Sequence, residues 1–441
     1  MIYMCRNIFL LFFVFFSQAL SAQKNSRPNI IYIMADDLGY ADLSCYGRKD
    51  YQTPNLDKLC TQGVKFMNAY AAAPVCTPTR ASFFTGRYPA RLAVGLYEPI
   101  EGNNKDSLVG LSSETPSIGY LLKRSGYETY LVGKWHVGFT QEHSPNKNGF
   151  DYFFGFKTGA TDYISHTAFN DEPDLYENDI LIQKDGYITD LLGEKAIEII
   201  KQSHQKPFFL ALMFNAPHWP WQTQEDKSVP KGASVDWKEG GSPETYAIMM
   251  KSLDDAVGKL VKAIDDLKLS NNTVIIFTSD NGGVQFSDHG IYKGRKMELW
   301  EGGIREPAFI RWAGKLKENT VTNQVATTMD WTATILSIAG AKADKNFPLD
   351  GIDLLPVLTG KQNEIQRTLY WRISQRKQHS AIRDGNWKWL RDEKGEEYLF
   401  DLTIDPSEKN NVKEKFPEIF LQLKNKYSSW EKTVLAPIPL Q

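Results

Sequence analysis

Asp36-Asp37, Lys134-Trp135-His136, His218 and Asp280-Asn281 share one placement: each follows a short run of apolar residues. Asp36, Asp37, Asp280 and Asn281 offer three carboxylates and one amide oxygen, a hard donor set suited to a divalent cation. No thiolate or imidazole cluster competes for zinc. Adjacent aspartates ordinarily cap helices or turns. Here both polar pairs follow apolar runs, and Gly39, Gly282 and Gly283 permit close approach of the backbone. A second set is basic or imidazole: Arg80, Lys134, His136, His218 and Lys296. Cations at strand ends beside a metal describe a pocket for a tetrahedral anion. Lys296 alone would mean little, since it lies in a charged loop with Lys293, Arg295 and Glu298.

The elements that must position these groups are legible in the apolar pattern. Residues 29–34, 127–132, 208–214, 274–278 and 308–310 read as buried strands. Between them lie helix signals. Thr53 can cap a helix with Pro54 at its first position and Gly63 beyond its end, and Thr115, Pro116 and Gly126 repeat that grammar. The clearest helix covers 244–267, where Met249, Leu253, Val257, Leu260, Val261, Ile264 and Leu267 recur at helical spacing. Strands alternating with helices imply an α/β fold with a mostly parallel sheet flanked by helices. Ligands of such sheets bind beyond the carboxyl ends of the strands, so the four groups should converge on one site. After Arg367 the texture changes. Short alternating segments at 369–373, 380–383, 387–390 and 397–400, with Asp384-Gly385 as a hairpin signal, predict a smaller C-terminal antiparallel sheet. A helix over 416–430 follows, and a boundary near residue 360 divides a catalytic part, 23–360, from a C-terminal part, 361–441.

The composition excludes some classes of function. The chain has 441 residues, 42% hydrophobic and 24% charged, enough for a large core. A net charge of -2 gives no electrostatic case for nucleic acid or an anionic membrane surface. Arg6, the apolar run 8–16 and the small residues Ala19, Ser21 and Ala22 form a secretory signal peptide over 1–22. The run is too short to span a bilayer comfortably. The expected location is therefore periplasmic or secreted, with no membrane association once the leader is cleaved. Of the four cysteines, Cys5 leaves with the leader. A Cys45–Cys60 bridge is possible, and Cys76 would then be the odd thiol.

Cys76-Thr77-Pro78-Thr79-Arg80, continuing through Thr85-Gly86-Arg87, makes the reading specific. It resembles the signature of type I (arylsulfatase-like) sulfatases of the alkaline phosphatase superfamily: Cys or Ser, any residue, Pro, any residue, Arg, then Thr-Gly-Arg. The family's order is kept by Asp36-Asp37, Gly133-Lys134-Trp135-His136, Ala216-Pro217-His218, Ser279-Asp280-Asn281-Gly282-Gly283, and Lys296 before Glu301-Gly302-Gly303-Ile304-Arg305. The tail, with Asp405-Pro406 and Glu408, resembles the family's usual ending. Thr79 stands where Ser is common and Phe84 where Leu is common; the Cys-Pro-Arg core is intact.

The resemblance implies an alkaline-phosphatase-like fold and hydrolysis of sulfate esters on a sulfated carbohydrate. It implies that a maturation enzyme oxidises Cys76 to formylglycine. The hydrated aldehyde attacks sulfur in line, and the sulfated diol then eliminates sulfate through its second hydroxyl, an exit closed to an ordinary serine ester. Asp36, Asp37, Asp280 and Asn281, with position 76, would bind one calcium ion, preferred over magnesium because several protein oxygens are supplied. Arg80 would support the formylglycine. Lys134, Lys296 and His218 would hold sulfate oxygens, with His218 the acid for the leaving alcohol and His136 the base for elimination. Formylglycine-dependent phosphonate monoester and phosphodiester hydrolases carry the same signature, and a glycan-binding protein without catalysis is a further alternative. Substrate choice is expected from loops at 158–178 (with Asp162, Tyr163, His166 and Tyr176), 218–225 and 287–292, and from 371–376 with His379.

Overall fold

The computed structural model describes residues 27–101, 108–229, 236, 238–375 and 377–438. The expected leader, and Cys5 within it, lies outside these residues. Among the described residues no helix is long and apolar enough to cross a membrane.

The main sheet is built from β1 (Asn29–Ala35), β2 (Val64–Tyr70), β3 (Glu128–Lys134), β4 (Tyr152–Phe156), β5 (Tyr176–Glu177), β6 (Ile180–Leu181), β7 (Phe208–Met213), β8 (Thr273–Ser279), β9 (Arg305–Trp312), β10 (Thr320–Thr322) and β11 (Ala326–Thr327). Their order is β10-β2-β9-β8-β1-β7-β3-β4-β5-β6, with β11 also on β2. The centre, β8-β1-β7-β3-β4, is parallel, while β9 runs antiparallel to both β8 and β2. The sheet is thus mostly parallel, as the apolar runs predict. The helices are α1 (Pro54–Thr61), α2 (Cys76–Thr85), α3 (Ile118–Arg124), α4 (Ile188–Ile200), α5 (Pro243–Asp266), α6 (Glu301–Ile304), α7 (Thr328–Ala339), α8 (Leu355–Leu358) and α9 (Pro417–Glu431).

Strand β1 explains the layering. Its side chains alternate between faces, and all are buried. Ile31, Ile33 and Ala35 enter a core with Leu192, Leu253 and Leu260 of α4 and α5. Ile30, Tyr32 and Met34 enter the opposite core with Phe83, Phe84 and Trp331 of α2 and α7. A strand covered on both faces reads as an unbroken apolar run, which is why β1, β3, β7 and β8 are visible in the sequence.

Some expectations shift. Helix α3 begins at Ile118, with Ser117 accepting the Tyr120 N–H, so Thr115 and Pro116 do not start it. Thr53 precedes α1, but its hydroxyl donates to Asp57 Oδ1 at 2.9 Å and accepts the Ser44 N–H at 3.0 Å instead of capping an N–H of the helix. Cys45 and Cys60 lie against one another as free thiols.

A second, antiparallel sheet has the order β12 (Thr368–Ile373), β13 (His379–Asp384), β14 (Trp387–Arg391), β15 (Glu397–Asp401). One face packs Ile382, Trp389 and Leu399 on Leu423, Tyr427 and Trp430 of α9. The other packs Trp371, Leu390 and Phe400 on Leu299, Trp300 and Ile304 of the main body.

Gly133, next to Lys134, has a φ of +109°, and a Cβ there would lie 1.9 Å from the Met213 carbonyl oxygen of β7. Gly133→Ala is therefore expected to destabilise the fold by at least about 3 kcal/mol, read as a lower midpoint in urea unfolding.

Candidate active site

The carboxyl ends of four adjacent strands supply the site. β1 delivers Asp36 and Asp37, β3 delivers Lys134 and then His136, β7 leads to His218, and β8 leads to Asp280 and Asn281. Asp37 (φ 59°) and His136 (φ 53°) sit in the left-handed region, where the chain turns sharply off its strand. The turn after β1 is held by β8: the Asp37 N–H donates to Asp280 Oδ1 at 3.1 Å and the Leu38 N–H to Ser279 Oγ at 3.1 Å. Cys76 is the first residue of α2, after the extended Val75, and Arg80 follows one turn later on the same face. Every residue of α2 is buried, so the helix has no amphipathic period to betray it. Lys296 comes from the loop between β8 and α6.

Three carboxylates face three cations in a site almost without solvent. Lys134 Nζ lies 2.6 Å from Asp36 Oδ2. Arg80 holds Asp280 Oδ2 through Nη2 at 2.9 Å and Nε at 3.1 Å, lies 3.6 Å from Asp36 and donates to the Lys134 carbonyl at 3.1 Å. Lys296 Nζ reaches Asp37 at 2.7 Å, Cys76 Sγ at 3.3 Å and His218 Nε2 at 3.3 Å. Cys76 Sγ is 3.7 Å from Asp36 Oδ1. The ten residues singled out from the sequence for metal and anion chemistry thus lie around one centre, with His136 on the wall of the same cleft as Cys76, His218 and Lys296.

The donor chemistry fits a divalent cation. Ligand atoms of Asp36, Asp37, Cys76 and His218 all lie within 4.8 Å of one another. Asn281 donates to Asp37 Oδ1 at 2.7 Å, while its own buried Oδ1 has no partner among the described residues. Asp280 stands outside the tightest cluster because Arg80 and the Asp37 N–H occupy it, yet a carboxylate has lone pairs to spare.

The electrostatics follow from burial. It pushes the Cys76 thiol up to about 12, against the pull of Lys134 and Lys296, so the thiol is not an active nucleophile. It pushes the Asp37 carboxyl up too, but the Lys296 ammonium 2.7 Å away outweighs it and leaves that group below its ordinary value. His136 falls well below the ordinary imidazole value through burial, then Lys134 and Arg80. His218 also falls well below it through burial, with Lys296 adding to the effect against Asp37. Both rings are neutral. His218 Nδ1 donates to the Trp219 carbonyl at 2.6 Å, leaving Nε2 as acceptor. His136 Nε2 donates to the Ile100 carbonyl at 3.2 Å, leaving Nδ1 buried and without a partner among the described residues.

A cleft of about 700 Å³ opens above Cys76. Val75, Ile100, Val284 and Met297 form apolar walls, and Phe169, Trp219, Asn170, Thr158 and Lys238 also line it. Most side chains expected to choose the substrate are scaffolding instead. Asp162 accepts Gln222 Nε2 and the Ser165 N–H, the Tyr163 hydroxyl donates to the His218 carbonyl at 2.7 Å, and His166 bonds the Gly186 carbonyl. Tyr176 belongs to β5 at the sheet edge. Ser287 donates to Asp42, whose carboxylate ties 287–288 to Tyr246 and Arg48. Trp371 and His379 are buried at the contact between the sheets, and Arg376 lies outside the described residues. What sequence reading missed is Phe169, 60% exposed inside the 158–178 loop. A large aromatic left in water within a polar loop is its only signal.

Comparison with known proteins gives the same direction. The family model described as "Sulfatase" matches residues 28–341, and that described as "N-sulphoglucosamine sulphohydrolase, C-terminal" matches 287–433. The chain is 31% identical over 399 residues to N-acetylgalactosamine-6-sulfatase of Canis lupus familiaris, covering 82% of this chain and 74% of that one. It is 30% identical to arylsulfatase J of Mus musculus, covering 93% and 77%. The solved structure of Ps i-CgsB in complex with k-i-k-neocarrahexaose superposes with a TM-score of 0.85 at 31% identity, over 94% of this chain and 95% of that one.

Arg80→Met leaves Asp280 buried without its cation. The expected cost is about 3–5 kcal/mol of folding stability in chelator-treated protein, and Arg80→Met/Asp280→Asn should recover part of it. Urea unfolding of the three proteins checks this.

Proposed function

The chain belongs to the sulfatase family, and on that premise we propose that it is an exported enzyme that removes sulfate from a carbohydrate, with formylglycine made from Cys76 as nucleophile. It is a sulfuric ester hydrolase of the type I group within the alkaline phosphatase superfamily. The observation that carries the finer reading is the setting of Cys76. It opens a buried helix at the floor of a cleft, with Arg80 one turn on, Lys296 3.3 Å from its sulfur and Asp36 3.7 Å away.

Asp36, Asp37, Asp280 and Asn281, with position 76, would hold one divalent cation. The oxygen-rich set, including the unpartnered Asn281 carbonyl, favours calcium. Such an ion supplies positive charge that polarises a sulfate oxygen and favours ionisation of the hydrated aldehyde. With three carboxylates already facing three cations, a divalent ion leaves the site net positive, as an incoming anion requires. Lys134 and Lys296 then have the sulfate oxygens as anionic partners besides Asp36 and Asp37. Lys296 and His218 form the acid pair for the leaving alcohol: the ammonium faces the open Nε2, so a proton can be held between them. His136, with Nδ1 free to accept, serves as the base that releases the product. Both histidines are kept neutral by burial, which suits groups that must exchange a proton during each turnover.

The sugar is placed by the outer cleft. Phe169 and Trp219 meet edge to face with ring centroids 6.4 Å apart, and the Trp219 ring lies 4.3 Å from the His218 ring. An aromatic face beside the acid pair suits a pyranose ring that carries the sulfate. The leader over 1–22 sends the chain to the periplasm or beyond, and a formylglycine-generating enzyme acts on Cys76 as a transient partner. The division near residue 360 is also our reading, supported by the small sheet starting at Thr368.

Intact and peptide mass spectrometry of active protein should show the thiol-to-aldehyde change at position 76, and Cys76→Ala should release no sulfate from sulfated oligosaccharides. Full activity of Cys76→Ala, or faster turnover of a phosphodiester than of any sulfate ester, would overturn the reading. Trp219→Ala keeps the carbonyl that orients His218. It should raise KM for a sulfated oligosaccharide about tenfold while leaving small aryl sulfates within about twofold, a loss of one stacking contact.

A further inference from the structure

Glu301, Lys388 and Glu408 come from three distant segments and meet in one fully buried charge cluster. The Lys388 ammonium is 2.8 Å from Glu301 Oε1 and 2.8 Å from Glu408 Oε1. Glu408 Oε2 accepts the backbone N–H of Glu301 at 2.6 Å. Glu301 Oε2 accepts the Tyr70 hydroxyl at 2.6 Å and Arg305 Nη1 at 3.1 Å. Burial pushes the Glu301 carboxyl up, but Lys388, Arg305 and Arg383 outweigh it and bring it down to about 2. A buried ion cluster is a poor source of stability, since apolar side chains of equal volume often do as well. Its stringent demand is on geometry.

That geometry is transmitted to the site. Glu301 is the first residue of α6, and α6 backs the loop that carries Lys296. The Gly302 N–H donates to the Lys293 carbonyl at 2.7 Å, and the Gly303 carbonyl accepts the Gly282 N–H at 3.0 Å, just past Asp280-Asn281. No side chain fits at this seam: a Cβ on Gly302 would lie 2.4 Å from the Gly294 oxygen, and one on Gly303 2.0 Å from the Glu298 oxygen. In front, the Lys296 N–H donates to Gly283 and the Met297 N–H to Pro74, two residues before Cys76. Met297 itself has a φ of 73°, a conformation the surroundings must enforce. The small sheet touches the loop again, where His379 Nδ1 accepts the Leu299 N–H at 3.3 Å and Lys377 reaches Glu298 at 3.3 Å.

We propose that Lys388 and Glu408 are positioning residues: through Glu301 the C-terminal sheet fixes the 293–299 loop so that the Lys296 ammonium stands against Cys76 and Asp37. The inference rests on the sulfate-holding role given to Lys296 above.

A double-mutant cycle on the full chain tests it, with calorimetric binding of inorganic sulfate in calcium as readout, independent of turnover and of maturation. Lys296→Ala and Lys388→Met should each weaken sulfate binding about tenfold, while Lys388→Met in the Lys296→Ala background adds less than about twofold, the non-additivity of residues that act as a unit. Glu408→Gln keeps an acceptor for the Glu301 N–H and removes a carboxyl that burial has already pushed up to about 7, against the pull of Lys388. It should fold, weaken binding about threefold, and lose that effect in the Lys296→Ala background; it carries the cycle if Lys388→Met does not fold. Equal factors in both backgrounds, or no effect of Lys388→Met or Glu408→Gln on sulfate binding, would overturn the proposal while leaving the hydrolase reading intact. Unchanged binding in Lys296→Ala would instead remove the role of Lys296 on which it rests.

Discussion

Asp36, Asp37 and Asp280 are buried at the carboxyl edge of the sheet, and a buried carboxylate without a partner is too costly for a fold to carry. Each must therefore be met by a cation, and the cations come from other parts of the chain. Arg80 arrives on α2, Lys134 at the end of β3, and Lys296 on a loop more than a hundred residues later. This requirement ties the register of β1, β3 and β8 to the placement of α2. It also explains the shape of the loops around the site. Asp42, also buried, draws in Arg48, Tyr246, Ser287 and the Asp288 N–H, so that the segments after β1 and β8 are locked together behind the reacting groups.

The same ion pairs give the site its chemistry. A thiol whose pKa burial raises to about 12 is a poor nucleophile, which supports the proposed conversion of Cys76. Histidines held neutral by burial and by neighbouring cations have one nitrogen committed to a carbonyl and the other open. Matched charges around a gap lined with oxygen donors leave room for an added cation and then for an anion. Stability and function draw on one arrangement.

The parallel strands were legible because burial on both faces makes them continuous apolar runs, and the site was legible because ligands gather at the ends of such strands. Helix α2 was not, since Cys76-Thr77-Pro78-Thr79-Arg80 is buried on every side and shows no period. Strand β2 was missed as well: its exposure alternates irregularly across a bulge between Phe66 and Ala69. Two of the expected loops, 158–178 and 218–225, do line the cleft, but several side chains singled out for substrate contact are engaged elsewhere. Tyr163, His166 and His379 have the composition of a sugar site, but each spends a polar atom on a backbone group that loops must satisfy somewhere. Sequence marks which residues can bond; only the fold says which bonds are already taken.

The C-terminal sheet shows how far that distinction reaches. Its Trp371, Leu390 and Phe400 pack on Leu299, Trp300 and Ile304, the residues just after Lys296 and at the end of α6. An ordinary apolar interface would suffice to hold two layers together, and would tolerate small shifts. Lys388 between Glu301 and Glu408 tolerates less, because each displacement strands a charge at no solvent exposure. A lysine proposed to hold sulfate from a loop needs such a backing. The ammonium sits on a flexible stem and gains direction only from the backbone beneath it. On the proposed roles, the part of the chain that carries none of the reacting groups is then the part that keeps one of them in place.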